Sequence, residues 1–549
     1  MAFSWFLSFA CGYVVAAAVG FSQAGPSAAQ ESKATTAVIE GTVVNSVTGA
    51  PLKKTILTLR PTGSSLESNE RGTVSSIETS DDGSFRFPNV APGPYWFMAE
   101  RAGFAPQYFN ARNSDTRGSV IRAHSGEEIK SLIFKLIPNA IISGKVLDAD
   151  GDPLRANVVV FRYAYRTDGK TIQAFANAST GAMGEYSISI PPGKFLLVAS
   201  PALNNVPISA AAQATPGTAS PEGPVLIYAP TFYPNSLEQY GAVELQASAG
   251  VDLHSIDFRI DKVKAYRVRG KVSAANGGLQ LVARNSPASS RPPQFGGVKE
   301  DGSFEFPAVL PGTYHLMMNG PRGGSIANQP IVVTDHHLDG LAVQFSPMPE
   351  LKGTVTIEGD SKKTVEGMQV GFDSFDNGTN PLGRIDKDGK FTVRGILPGR
   401  YHPWAGLGGG GRYVKSIHYQ ERDVTDTGID VTEGISGTVD ILISLNAAEL
   451  SGVVVDDDDK PCAGVSVVLV PDSGAYLGYN SVTTDAQGHF KVGYLRPGDY
   501  KVYALEGILY LAWFDKEYMK PYSSNGIPLS VHEKDKKFLS LKVIADPQK

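Results

Sequence analysis

One short phrase recurs five times in this chain, and it constrains the fold more than any local motif. It is Asp-Gly-Ser-Phe or a variant, followed about ten residues later by Pro-Gly-x-Tyr or Pro-Gly-x-Phe. The glycines of the five pairs are Gly83 and Gly93, Gly184 and Gly193, Gly302 and Gly312, Gly389 and Gly399, Gly488 and Gly498. Their aromatic partners in four copies are Phe85 and Tyr95, Phe304 and Tyr314, Phe391 and Tyr401, Phe490 and Tyr500. The second copy reads Tyr186 and Phe195. An Asp-Gly pair supplies a left-handed residue at a hairpin turn. After it, apolar residues alternate with polar ones, as Phe85 and Phe87 do with Ser84 and Arg86. That is the period of a half-buried strand. These turn glycines and aromatics are therefore expected to be structural, filling the core of a repeated β unit.

Each copy sits late in a larger unit that opens on a strand carrying a glycine: Gly41, Gly144, Gly270, Gly353 or Gly452. The periods between these glycines are 103, 126, 83 and 99 residues, each suited to one β-sandwich. The units are placed at 36–137, 138–262, 263–348, 349–446 and 447–546. Unit two carries an Ala-, Pro-, Ser- and Gly-rich loop over Asn204 to Pro224. Unit three is the most eroded, lacking the turn proline seen elsewhere. The expected fold class is all-β, a tandem array of about five seven-stranded sandwiches of Ig-like or transthyretin-like type. Five separate beads are expected.

Composition narrows the function. The net charge is -5 over 549 residues, so there is no basic field for nucleic acid. The first thirty residues carry no charged side chain, and small residues follow the apolar run from Trp5 to Phe21. Residues 1–29 are read as a signal peptide, which predicts an exported protein, periplasmic, outer-membrane-associated or extracellular. No membrane span is expected once that segment is removed. Cys462 is then the one remaining cysteine, so no disulfide within the chain is expected.

These units resemble the carboxypeptidase regulatory-like domain, a transthyretin-like (prealbumin-like) seven-stranded sandwich. The Gly-x-Val opening, the Gly-x-Pro turn, the Asp-Gly-x-Phe hairpin and the Pro-Gly-x-Tyr return carry the resemblance. In units four and five it extends to Tyr413-Val414-Lys415-Ser416 and to Phe514-Asp515-Lys516-Glu517-Tyr518, as in large exported bacterial proteins built of such modules. The resemblance implies a fold used as an accessory domain in carboxypeptidases, adhesins, starch-binding modules and receptor extensions. It does not imply one function.

A search for chemistry finds no catalytic set. His124-Ser125-Gly126-Glu127 has the spacing of a zinc-peptidase motif, but it aligns with plain turns in units two and five. Asp148, Asp150 and Asp152 alternate like half of a calcium loop, which makes weak calcium binding the one cofactor expectation. Gly408 to Gly411 lacks the Gly-Lys-Ser/Thr of a phosphate loop and reads as a hairpin tip. By strand parity Trp96, Trp404 and Tyr503 point away from their sandwich cores, with His315 and His402 at matching parity. A flat aromatic on a sheet face is a stacking platform for a sugar ring. The expected role is non-enzymatic binding or scaffolding in the cell envelope. The partner is an envelope protein or a polysaccharide, with an adhesin-like array or an accessory to a peptidase or receptor as the alternatives.

Overall fold

The computed structural model describes residues 36–62, 74–111, 118–167, 169–201, 223–273, 278–283, 294–319, 325–344, 346–347, 349–359, 365–375, 380–407 and 411–545. The signal-peptide segment, most of the Asn204–Pro224 loop and Gly408 to Gly410 lie outside these residues. Within them are five sandwiches of one plan. Unit five shows it plainly, with strands Ala448–Val455, Ser466–Pro471, Asn480–Thr483, His489–Leu495, Gly498–Leu505, Ile527–Val531 and Lys536–Lys542. The first strand lies between the fourth and the seventh in a three-stranded sheet. The other four form the facing sheet in the order third, second, fifth, sixth.

The opening strand pairs antiparallel with the Asp-Gly hairpin strand and parallel with the closing strand. The same parallel closure joins first and last strands in the other four units. The opening glycine is its key. In every unit it stands opposite the hairpin aromatic: Gly41 with Phe85, Gly144 with Tyr186, Gly270 with Phe304, Gly353 with Phe391, Gly452 with Phe490. A Cβ on any of the five would come within 2.0–2.1 Å of a closing-side carbonyl oxygen. At Gly353 and Gly452 it would also meet the partner ring, at 2.4 and 2.6 Å. The opening glycine and the hairpin Phe are thus one device: the ring lies across a strand that has no side chain there.

The repeated Pro-Gly-x-Tyr closes a second device. In units one, three, four and five the buried Tyr hydroxyl donates to the carbonyl four residues earlier, just before the proline. It ties the turn to the strand, as a tyrosine corner does. Phe195 in unit two has no hydroxyl to do this. Burial pushes the Tyr500 hydroxyl up to about 12, so it remains a donor at neutral pH. Tyr500→Phe should therefore destabilise unit five by about 1 kcal/mol while keeping its packing. Hydrogen exchange of 498–505 is the measurement, and unchanged protection there would count against the corner.

Each sandwich holds its own core. Phe85, Phe87, Phe97 and Phe134 fill unit one, and Phe490, Tyr500, Leu450 and Leu541 fill unit five. Unit three, eroded in sequence, still has all seven strands and a core around Phe304, Phe306, Tyr314 and Leu316. Two features depart from separate beads. Val225–Tyr228 of unit two pairs with Lys262–Ala265, the start of the strand that opens unit three, so a ladder crosses the boundary at 262. And unit five touches units one, two and four, although unit one is more than 300 residues away in the chain.

Candidate functional site

The closing part of unit five makes one of these contacts. Between Leu505 and Ile527 the chain makes a 3-10 turn at Ala512–Phe514, a helix at Lys516–Met519 and a second 3-10 turn at Lys520–Asn525. The Asp515 carboxylate accepts from the Glu517 and Tyr518 amides and starts the helix. This cap lays Ile508, Trp513, Met519 and Tyr522 over Val468 and Tyr503 on the outer sheet face. Tyr503 does point away from the sandwich core, as parity predicts, yet it is only 5% exposed. It is corrected from a stacking candidate to a core residue of the cap.

The cap and its neighbours are also where the units meet. The long hairpin of unit two, strands Ala156–Arg166 and Gly169–Ser179, reaches it, with Tyr165 edge-on to Tyr518 at 5.1 Å. From unit four, His402 stacks on Tyr476 of unit five at 4.0 Å and 8°. Phe375 closes the other side of His402 at 4.2 Å. Trp404 lies flat on the Gly371 backbone, where a Cβ would stand 2.3 Å from its ring, and its Nε1 donates to Asp373 at 3.0 Å. The Tyr476 hydroxyl donates to the second Asp373 oxygen. Trp404 is half-buried here and shares the Asp373 carboxylate with Tyr476 of unit five, so it braces the four–five junction. Burial drops His402 to about 4, so it is neutral in this stack at neutral pH.

Trp96 has a different setting. It is half-buried on the outer face of unit one, edge-on to Tyr108 at 5.8 Å. It lines a cleft of about 760 Å³ between units one and five, within the range of ligand sites. One wall is Pro94, Trp96, Val120 and Arg122. The other is the uncapped part of the unit-five sheet, with Ser466, Ser481 and Thr483, and the hairpin residues His489, Lys491 and Tyr494. Tyr510 and Trp513 of the cap close one side. Tyr494 and Tyr510 are 47% and 63% exposed, so their rings are open to a ligand. The lining charges are Arg122, Asp485, His489 and Lys491, and each is matched. Arg122 Nε meets Asp485 at 3.3 Å across the units, His489 lies 3.8 Å from the same carboxylate, and Lys491 pairs with Glu449 at 2.8 Å. The cleft therefore offers two open tyrosines, a half-buried tryptophan and hydroxyls, with each lining charge matched.

The acidic triplet has another use. Asp148 Oδ1 accepts from the Asp150 and Asp152 amides, and Oδ2 accepts from the Tyr228 hydroxyl. These bonds hold its carboxyl below the usual range, led by the Asp152 amide. Asn45 and Asp456 bind the amides of the same turn in units one and five. The Asp148 carboxylate is here a turn device, and among the described residues no group of three His, Cys, Asp or Glu is gathered to hold a metal. His124 and Glu127 bond each other at 2.9 Å in an exposed turn. No helix among the described residues is long and apolar enough to cross a membrane.

Comparison with known proteins agrees with this picture at the level of the domain. The family model for the carboxypeptidase regulatory-like domain matches residues 38–124 and 449–508. No curated protein matches the chain. Among solved structures, the TIE protein of Bacillus anthracis aligns at 12% identity over 74% of each chain, with a TM-score of 0.16. GBS52, the minor pilin of Streptococcus agalactiae, aligns at 16% identity over 41% of this chain and 96% of its own, with a TM-score of 0.20. BcpA, the major pilin subunit of Bacillus cereus, aligns at 10% identity over 74% of this chain and 99% of its own, with a TM-score of 0.15. Scores this low carry no argument about function. The model for the carboxypeptidase regulatory-like domain thus matches within units one and five, and with three sandwiches of the same plan between them the chain is a tandem array of five β-sandwiches.

Proposed function

We propose that this chain is an exported, non-enzymatic binding protein of the cell envelope, and that its cleft between units one and five holds a neutral carbohydrate. One observation carries the reading. Of the three outward aromatics picked from the sequence, Trp96 alone lines an inter-unit cleft, facing open Tyr494 and Tyr510. Aromatic faces stack on the apolar faces of pyranose rings, and neutralised ion pairs and hydroxyls suit ring hydroxyls. The matched charges disfavour a highly charged ligand, whose desolvation would find no free counter-charge. A glycan array and titration calorimetry with cellohexaose and maltohexaose test this. Wild-type protein should bind a neutral glycan, and Trp96→Ala should weaken binding at least about tenfold, or roughly 1.4 kcal/mol. Tyr503→Phe should leave affinity unchanged. A blank array with folded wild-type protein would sink the carbohydrate reading.

A second reading has one observation of its own. Asn480–Thr483 is the edge strand of its sheet, and three of its residues line the cleft. An extended protein segment could pair with it. Co-purification of an envelope protein, lost on mutating this strand and indifferent to glycans, would favour that reading.

A further inference from the structure

The cleft is bipartite. Neither sandwich contains it: Trp96 and Arg122 stand on one wall, and Ser481, Thr483 and Tyr510 come from a unit more than 300 residues further on. The three contacts of unit five are unequal. Toward unit four it has a stacked His402–Tyr476 pair, and Leu477 packs against the unit-four core. Glu533 also accepts from Tyr413 at 2.8 Å and from Asn446 at 3.2 Å. Toward unit two, Tyr165 packs against the cap cluster. Toward unit one there is no shared apolar cluster among the described residues. The cores of units one and five are separate. Among the described residues, what joins them is the Arg122–Asp485 pair, with Arg122 55% and Asp485 11% exposed, and the approach of Gly464 to Asn110 and Ser119. With Asp485 nearly buried, this single pair is the one charged tie between the two units among the described residues. The Gly464 contact is close steric apposition without a hydrogen bond: a Cβ there would lie 2.6 Å from the Asn110 oxygen.

From this asymmetry we propose that units one and five form a jaw. Unit five stays docked on units two and four, and unit one swings off it, opening the cleft and breaking the Arg122–Asp485 pair. The pivot is the short join at Ile137–Pro138–Asn139. There the Ala105 amide donates to Ile137 O at 2.9 Å and the Asn139 amide donates to Gly103 O at 3.0 Å on the unit-one side, while Asn139 Nδ2 donates to Ser189 Oγ of unit two at 3.0 Å, so the join is anchored at both ends and the swing bends the chain between them. A ligand touching both walls binds only the closed form and shifts the equilibrium toward it by its preference for that form. The ligand class, a neutral glycan, rests on the proposed function above, whereas the jaw rests on the contacts alone.

Distance measurement between spin labels tests both parts in the full chain. Labels go on Thr48→Cys in unit one and Asp457→Cys in unit five, in a Cys11→Ser, Cys462→Ser background. Both sites are exposed turns. Arg122→Ala touches the junction without entering either core. The expected result is a distance distribution that broadens and lengthens in Arg122→Ala, and narrows again on adding cellohexaose or maltohexaose. A narrow distribution, the same in wild type and Arg122→Ala, would overturn the jaw even if a glycan binds. Broadening in Arg122→Ala with no response to either glycan would support the jaw and count against the carbohydrate ligand. A control pair across the four–five interface, Asp388→Cys with Asp457→Cys, should stay narrow in both proteins. Broadening there as well would mean that the whole array loosens, and would overturn a pivot confined to unit one.

Discussion

Gly452→Ala should unfold unit five or cost it about 3 kcal/mol or more, at or beyond the upper end of overpacking costs. The added Cβ would lie 2.0 Å from the Leu539 carbonyl oxygen and 2.6 Å from the Phe490 ring. Backbone cannot yield that far without breaking the parallel ladder to Lys536–Lys542, and the ring cannot leave without opening a cavity. The unfolding of a multidomain chain is not two-state, so the readout must be local. Hydrogen exchange should lose protection in 448–455 and 536–542 first. Gly493→Ala is the control: nothing lies within 4 Å of its added Cβ, and the change should stay within about 0.5 kcal/mol. Equal effects of the two substitutions would refute the ring-over-glycine account of the fold. Because unit five carries the contacts to units one, two and four, the same variant should also expand the whole array in small-angle scattering.

The second large effect belongs to the four–five interface. Tyr476→Ala removes a ring stacked on His402 and leaves Asp373 with one of its two donors, Trp404. Deleting a packed aromatic costs about 3–5 kcal/mol, and an orphaned carboxylate oxygen adds to that. The expected readout is faster exchange in 369–374 and 400–405, with the facing sheet of unit four around 350–357 and the unit-five core still protected. Tyr476→Phe keeps the stack and should show a fraction of the effect. Acid should act on the same joint. His402 sits at about 4 when docked, against an ordinary 6.5, because burial disfavours its charged form. A partly uncovered His402 binds the proton first. The docking contribution is therefore complete above about pH 6.5 and is lost as the pH falls from there toward 4. Asp426, which pairs with Arg496, pulls weakly the other way. A four–five interface equally protected at pH 7 and pH 4.5 would contradict this assignment.

The fold was largely legible because it rests on local chemistry repeated five times. Asp-Gly, Pro-Gly and alternating aromatics announce hairpins wherever they occur. Some signals lay in view and carry more than their local reading. Thr79, Thr180 and Thr484 each stand four residues before the hairpin glycine. Each hydroxyl donates to a carbonyl near the start of the second strand and accepts an amide from it. The long hairpin of unit two was equally written in its strands around Asp168-Gly169, but its importance lies in what its tip touches.

The site was less legible, and Trp96, Trp404 and Tyr503 show why. Strand parity put all three on outer sheet faces, and in each case the ring does leave its own core. What meets an outer face is decided by other parts of the chain: a cap for Tyr503, the Asp373 carboxylate that Tyr476 of unit five also binds for Trp404, and an open cleft for Trp96. The sequence alone determined the number of sandwiches and their turns, because those rest on short local segments; the pairing of each opening glycine with its hairpin aromatic came from the structure. Only the tertiary structure decided that the array folds back so that unit five meets unit one. That contact joins residues hundreds of positions apart through a few polar side chains, and such pairings leave no periodicity or spacing to read.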